Sequence, residues 1–118
     1  MYEYNAEITS VYDGDTCTAT IDLGFKLFTR KAKLRLLGIQ AHELRTSDEA
    51  EKILAVEARD YLRGIVSGQT VRIKSEKKGK YGRYLVTIWL LDDDDNIIEP
   101  SVNQRMLDAQ HARPYGYQ

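Results

Sequence analysis

The chain has 118 residues, of which 42% are hydrophobic and 30% are charged, and its formal net charge is −1. This length and composition predict one domain, residues 1–118, whose core needs neither disulfides nor a structural metal. The single cysteine, Cys17, excludes an intramolecular disulfide. No apolar stretch approaches the roughly 18 residues that span a bilayer, and the N-terminus has no signal-peptide pattern, so we expect a cytoplasmic protein with no membrane role.

The charge is unevenly distributed along the chain. Residues 30–35 and 72–83 are basic, whereas residues 48–57 and 92–95 are acidic. The net charge does not provide the overall positive field that often accompanies nucleic-acid binding. Each run taken alone is more often a solvated face than a binding site.

The first half of the chain predicts three strands. Residues 6–12 and 16–23 are rich in Thr, Ile, Val and Tyr, and the Asp13-Gly14 pair between them is a strong hairpin signal. Residues 31–39 end in a nearly continuous apolar run, which indicates a third strand buried on both faces.

A helix over residues 47–66 follows. Thr46 and Glu49 have the spacing of a capping box, and Gly68 ends the helical pattern. The apolar residues expected on its inner face are Leu54, Ala58, Tyr61, Leu62 and Ile65.

The second half predicts two more strands and a short helix. The strands are "TVRIK" and "YLVTIWLL", joined by a Lys- and Gly-rich loop over residues 75–82. The "DDDDN" stretch predicts an exposed turn. Pro100 and Ser101 open the short helix, with Val102, Met106 and Leu107 as its inner residues, and we expect an irregular tail over residues 111–118.

This order of elements predicts a fold class that is mainly β (α+β). Three strands, a helix and two strands fit a five-stranded OB-fold barrel with a helix between strands three and four and a short C-terminal helix. An open α+β sheet is the alternative.

Asp15 is the first candidate functional residue. Alternation along strand two places Asp15 on the same face as Cys17, Ala19 and Ile21, which is apolar. A carboxylate buried there without a partner costs several kcal/mol, so it needs a cation or a donor. The candidate partners are Arg35 and Arg83, which lie in or beside apolar strands; a purely structural ion pair is the alternative.

Glu43 lies just past strand three, where the strand delivers a loop residue to the same rim of the barrel. Two carboxylates, two arginines and a basic loop suit phosphoryl chemistry, in which one carboxylate holds a hard cation and another orients water. Arginine matches phosphate oxygens better than lysine does. A zinc site is not expected, because His111 and Cys17 have no partners at zinc spacing, and residues 92–95 lack the pattern of an EF-hand loop.

Three motifs together resemble the staphylococcal nuclease-like (thermonuclease) family of calcium-dependent phosphodiesterases. They are "VYDGDT", "RLLGIQAHE" and "KYGR", in that order, and "VNQRMLDAQHARPY" resembles the family's next helix and the segment after it. The resemblance covers nearly the whole chain, although the family's further C-terminal helix is absent from it.

The resemblance implies a role for each matching residue. Asp15 would bind the metal, Arg35 and Arg83 would contact the scissile phosphate, and Glu43 would act as general base or orient water. Lys80 and Tyr81 would touch a terminal phosphate of the bound nucleotide. Tyr115 or Tyr117 would stack on a base, the alternative being that this tyrosine only covers the barrel.

The chain departs from the family pattern beside this chemistry. Gln40, Ala41 and His42 stand where the family has a second acidic metal ligand, then threonine and proline. Gln40 can offer its amide oxygen and Ala41 its carbonyl to Ca²⁺, but the site would carry one negative charge less, so we expect weaker metal binding. We assign His42 no role.

The sequence leaves three functions open. The favoured one is a monomeric nuclease that uses Ca²⁺ or another divalent cation to hydrolyse single-stranded or flexible DNA or RNA, leaving 3'-phosphate ends. The second is a catalytically weak or inactive OB module that binds nucleic acid or protein. The third is a barrel used purely for protein interaction.

Overall fold

The computed structural model describes residues 2–78 and 82–116. Within these ranges it contains eight strands and two helices. The strands are β1 (Tyr2–Asp13), β2 (Thr16–Gly24), β3 (Leu27–Leu36), β4 (Ile39–Ala41), β5 (Thr70–Lys78), β6 (Tyr84–Leu91), β7 (Ile97–Ile98) and β8 (Ala112–Pro114). The helices are α1 (Glu49–Val66) and α2 (Val102–Asp108).

Five strands form a closed barrel. They lie in the order β3-β2-β1-β5-β6, with antiparallel neighbours, and the parallel pairing of β3 with β6 closes the sheet. Inward-facing side chains of these strands pack with buried residues of α1 and α2 into one core. The predicted five-stranded barrel with a helix between its third and fourth strands, here β3 and β5, is therefore confirmed. The alternative of an open sheet is wrong, because the β3–β6 pairing removes both edges.

The β1–β2 hairpin has the predicted alternation. Cys17, Ala19 and Ile21 are buried, while the threonines between them are more exposed. Asp15, just before β2, is 7% exposed and therefore lies on the buried side, as expected.

Helix α1 begins two residues later than predicted, and Thr46 is not its N-cap. The carboxylate of Asp48 accepts the N–H groups of Ala50 and Glu51, while the hydroxyl of Thr46 accepts that of Asp48. Thr and Asp both favour the N-cap position. Here Asp48 takes it, and Thr46 lies in the preceding loop. The helix ends at Val66, and Gly68 follows with a left-handed φ of 73°, which confirms the predicted stop.

The inner face of α1 differs from the prediction at Leu54. The buried stripe is Ala55, Ala58, Leu62 and Val66. Leu54 is 43% exposed, because the buried stripe begins one position further along and turns Leu54 toward solvent. The predicted inner positions Tyr61 and Ile65 do pack against the core.

The tail was expected to be irregular, but part of it is a strand. Strand β8 pairs with β4 and the backbone N–H of Tyr115 donates to the carbonyl of Gly38 at 2.8 Å. The turn at Gly38, with a φ of 83°, sends β4 away from β3 and toward the tail. This small sheet fixes the position of residues 39–41.

Helix α2 is confirmed, with Ser101 as its N-cap and Val102 and Met106 buried. It also contributes the buried Asn103, whose amide oxygen accepts the N–H of Ile88 and whose amide nitrogen donates to the carbonyls of Leu37 and Val86. These bonds connect α2 with β6 and with the end of β3.

Candidate active site

The carboxylate of Asp15 connects three segments of the chain. Its Oδ2 accepts the backbone N–H of Ala41 at 2.8 Å and lies 3.1 Å from Nη1 of Arg35. Its Oδ1 accepts the hydroxyl of Thr16 at 3.1 Å. The first hairpin, β3 and the segment after β3 therefore meet at this carboxylate.

Arg35 is the partner that the structure gives to Asp15. The guanidinium is buried, and its Nη1 also donates to the carbonyl of Leu36 at 3.2 Å. A guanidinium has five N–H donors, so these contacts leave room for further acceptors. Arg83 is half-buried and immediately precedes β6. Because Tyr84 pairs with Leu34, the two arginines lie on neighbouring strands.

Gly14 allows the hairpin turn to approach both β4 and α1. A Cβ atom on Gly14 would lie 2.6 Å from the Cβ of Ala41 and 2.9 Å from the Cβ of Ala58. Such distances are too short for any side chain, so this position needs glycine for space. The sequence indicated only a turn here; the close packing that brings Asp15 to Ala41 depends on residues distant in the chain.

Asp13 is a functional candidate that the sequence analysis assigned only to the turn. Its Oδ1 accepts the N–H of Asp15 at 3.0 Å, as a turn residue does. However, burial and, secondarily, the adjacent Asp15 carboxylate raise the pKa of Asp13 from 3.8 to about 7. The signal available in the sequence was the Asp-Gly-Asp spacing, which places two carboxylates side by side.

The pair of carboxylates is a candidate site for a hard divalent cation. Two acidic groups in a partly buried position repel each other, and an oxygen-seeking cation such as Ca²⁺ relieves that repulsion. The described residues contain no group of three or more His, Cys, Asp or Glu side chains suited to a metal. Further ligands would therefore come from neutral oxygens, such as the carbonyl of Ala41, and from water.

Gln40, a predicted metal ligand, has another partner in this structure. Its Oε1 accepts Nη2 of Arg113 at 2.7 Å, across the β4–β8 pair. The amide oxygen has two lone pairs, so it could keep this bond and still contact a cation, but the nearby guanidinium opposes positive charge at the same place. Weaker metal binding stays a prediction, for which this repulsion is an additional reason.

A cleft of about 350 Å³ lies beside this cluster. Its walls come from the segment after β3, from α1, from the end of α2 and from β8, and include Gln40, Ala41, Glu43, Glu51 and Arg113. Asp15 contacts this cleft wall through the N–H of Ala41. The described residues that line the cleft do not include Asp13, Asp15 or Arg35, so the cleft and the buried acid–arginine pair are joined through Ala41.

The segment that carries Glu43 is held by Glu51 of α1. Oε2 of Glu51 accepts the backbone N–H of Glu43 at 3.3 Å and lies 2.8 Å from Nδ1 of His42. The side chain of Glu43 itself is exposed. His42, to which the sequence analysis gave no role, thus contacts the residue that anchors this loop.

The predicted substrate-binding residues are only partly described. Lys80, Tyr81 and Tyr117 lie outside the described residues. Tyr115 follows β8, close in sequence to the cleft residues Arg113 and Pro114, and is 37% exposed. The structure thus leaves the ring of Tyr115 accessible at the end of the β4–β8 sheet.

The fold and this site define a class: a small OB-fold barrel with a buried aspartate–arginine pair at one rim, beside a cleft. The model of the staphylococcal nuclease homologue family matches residues 33–117, and the chain belongs to this family, whose members are typically nucleases. A comparison with curated proteins gave no match. Among the described residues, no helix has the length and apolar character needed to cross a membrane.

Proposed function

We propose that this protein is a divalent-cation-dependent nuclease that hydrolyses phosphodiester bonds of single-stranded or flexible DNA or RNA and leaves 3'-phosphate ends. The observation that carries the proposal is the convergence of Asp15, Arg35 and Ala41, with Asp13 adjacent, where Ala41 also lines the cleft that Glu43 borders. Family membership supports the reaction class.

In this proposal the carboxylates of Asp13 and Asp15, the carbonyl of Ala41 and the amide oxygen of Gln40 would hold the cation. A bound cation supplies positive charge next to the phosphate oxygens. The family generally uses Ca²⁺, and the oxygen-only ligand set agrees with that choice.

Glu43 takes the proton of the attacking water or orients it. The water oxygen forms a bond to phosphorus, the bond from phosphorus to the 5'-oxygen breaks, and that oxygen leaves as a hydroxyl after gaining a proton. Exposure of Glu43 beside the cleft gives it access to water and substrate. Arg35 and Arg83 neutralise charge that develops on the phosphate oxygens.

Burial of Arg35 preorganises this arrangement. Asp15 and the carbonyl of Leu36 hold its guanidinium on one side, so the side chain does not need to be ordered when substrate binds. Preorganised donors in a site that excludes water stabilise a transition state more than mobile ones do. We further propose that Lys80 and Tyr81 contact a terminal phosphate and that Tyr115 stacks on a base.

The test is a cleavage assay on single-stranded DNA and RNA with calcium, magnesium, manganese or chelator. We expect cutting that requires a cation and that falls at least about 100-fold in the Glu43→Ala and Arg35→Ala variants. Glu57→Ala is the matched control, because Glu57 is an exposed glutamate on α1. Cation-dependent cutting that survives both substitutions would show that the reaction occurs elsewhere.

The contact between Gln40 and Arg113 favours a second candidate function, a module that binds nucleic acid without cutting it. A guanidinium 2.7 Å from the Gln40 oxygen disfavours a cation and attracts phosphate instead. Calorimetry with a short oligonucleotide separates the two functions: binding that is independent of calcium, with no product formed, supports the module. A substitution of Gln40 by Asp would then introduce calcium dependence.

A further inference from the structure

The β2–β3 hairpin carries an exposed apolar cluster at its tip. Phe25 is 98% exposed, and Leu23, Leu27 and Phe28 are 44%, 60% and 48% exposed. Scattered exposed hydrophobic residues are ordinary, but four within six positions concentrate apolar surface at one hairpin tip, and such a concentration often marks an interaction surface. We call residues 22–33 the hairpin arm.

The hairpin arm is also strongly basic. It contains Lys26, Arg30, Lys31 and Lys33, all exposed, against one acidic residue, Asp22, and no Asp or Glu occurs between residues 23 and 42. The guanidinium of Arg30 lies 5.6 Å from the centroid of the Phe28 ring. In a chain with a net charge of −1, the hairpin arm thus brings four cations and two phenylalanine rings together.

The backbone preferences of Phe25 and Lys26 do not explain why these residues form the turn at the tip. Phe25 and Lys26 have φ angles of 55° and 63°, in the left-handed region that glycine and asparagine adopt more readily. Two-residue hairpin turns with this backbone favour Asn-Gly or Asp-Gly. A fully exposed phenylalanine in a strained position suggests that its ring serves a purpose outside the fold.

One face of the hairpin arm continues to the candidate active site. Thr16 pairs with Arg35, Thr18 with Lys33 and Asp22 with Phe28, and residues paired across strands share a face. Alternation along β2 places the Thr18–Lys33 and Asp22–Phe28 pairs on the outer side of the barrel, and this face leads to the rim, where Arg35 is buried against Asp15. At about 3.3 Å per residue, the path from Arg35 to Phe28 covers roughly 20 Å.

We infer that the hairpin arm binds a single strand of nucleic acid several nucleotides away from the cleavage site. Bases would stack on Phe25 and Phe28, and phosphates would contact Lys26, Arg30 and Lys33, as in other surfaces that combine basic grooves with aromatic platforms. That the bound strand runs from the arm to the cleavage site rests on the proposed function. Binding of nucleic acid by the arm does not require cleavage.

The arrangement of charges favours a nucleic-acid strand over the alternatives. A polyanionic chain presents charges at regular intervals, and the arm distributes its cations along a ribbon that leads to Arg35. An anionic membrane or a second copy of the chain would use the tip but not the outer face between Lys33 and Arg35. The test therefore includes a separate measurement for the membrane and another for the second copy of the chain.

The test compares binding of a long and a short oligothymidylate, of about 12 and about 3 nucleotides, by fluorescence anisotropy in chelator. One variant combines Phe25→Ala with Phe28→Ala, and another combines Lys26→Gln with Arg30→Gln. The matched control combines Lys52→Gln with Ile53→Ala on α1, where a lysine and an isoleucine are also exposed. Circular dichroism establishes that each variant is folded.

We expect each arm variant to bind the long strand at least about tenfold more weakly and the short strand within about twofold of the original protein. The charge variant should also show a smaller dependence of affinity on salt. If the original protein does not bind the long strand, or if both arm variants bind it as the control does, the inference is overturned.

Three further readouts separate the inference from its competitors. Arm variants that lose binding to vesicles containing phosphatidylserine but keep the long strand would overturn it in favour of a membrane surface. Arm variants that dissociate a dimer in sedimentation velocity but keep the long strand would overturn it in favour of self-association. Loss of long-strand binding in the arm variants, with no cleavage under any metal, would support the inference and refute the proposed nuclease.

Discussion

Replacement of Asp13 by asparagine should make the metal-free protein more stable at neutral pH. The amide oxygen of asparagine can still accept the N–H of Asp15, a bond of 3.0 Å in the structure, so the turn is retained. The substitution removes one of two adjacent carboxylates. It therefore isolates the electrostatic cost of placing both at this rim.

The size and the sign follow from the pKa of Asp13. Burial, together with the neighbouring Asp15, raises this pKa from 3.8 to about 7. The folded protein thus holds a proton that the unfolded chain releases near pH 4, so this stabilising contribution is full below about pH 4 and is lost as pH rises to about 7. The ceiling is about 4 kcal/mol, and solvent screening of a partly exposed group reduces the expected gain to about 1–2 kcal/mol.

Urea unfolding in chelator, from about pH 4.5 to about pH 8, measures this effect. We expect the Asp13→Asn variant and the original protein to be similar at the acidic end and to diverge toward neutral pH. Asp22→Asn is the matched control, because Asp22 accepts the N–H of Gly24 in the same way at the exposed end of β2. The reasoning is refuted if Asp13→Asn is no more stable than the original protein at about pH 8.

Addition of calcium should reverse the order of stability. A ligand at 100 times its dissociation constant stabilises the folded state by about 2.7 kcal/mol, and the original protein should gain this stability at lower calcium concentrations than Asp13→Asn. Equal calcium responses would show that Asp13 takes no part in holding the cation.

Three further predictions concern the packing and positioning of the site. Gly14→Ala should lower the free energy of unfolding, measured in urea, by about 1–3 kcal/mol, because the added Cβ would meet Ala41 and Ala58. If the contact with Ala58 is responsible, a second substitution, Ala58→Gly, should recover part of the loss. Glu51→Ala should lower kcat about 10- to 100-fold with little change in KM, because the loop of Glu43 loses its anchor, and Glu51→Gln, which retains an acceptor, should restore much of it. Cys17, whose burial raises its pKa to about 12, should react with a thiol reagent only at the rate of unfolding; rapid labelling of the folded protein would contradict its burial.

The sequence alone determined those features that depend on neighbours in the chain. The Asp13-Gly14 turn, the alternation along β2 and the helical spacing of α1 are local patterns, and their order was sufficient to predict a closed barrel. Asp15 was identifiable because a carboxylate on an apolar face needs a partner, and Arg35 was among the candidates for the same reason. Side-chain periodicity carries this information without any knowledge of the fold.

Tertiary structure decided which distant groups meet. Ala41 donates to Asp15 across 26 positions of the chain, and Arg113 reaches Gln40 across 73. The pKa of Asp13, the space required at Gly14 and the pairing of β8 with β4 likewise depend on what the closed barrel brings together. Such contacts leave no periodic signal in a sequence, because burial, charge proximity and close packing are properties of distances in space rather than of spacing along the chain.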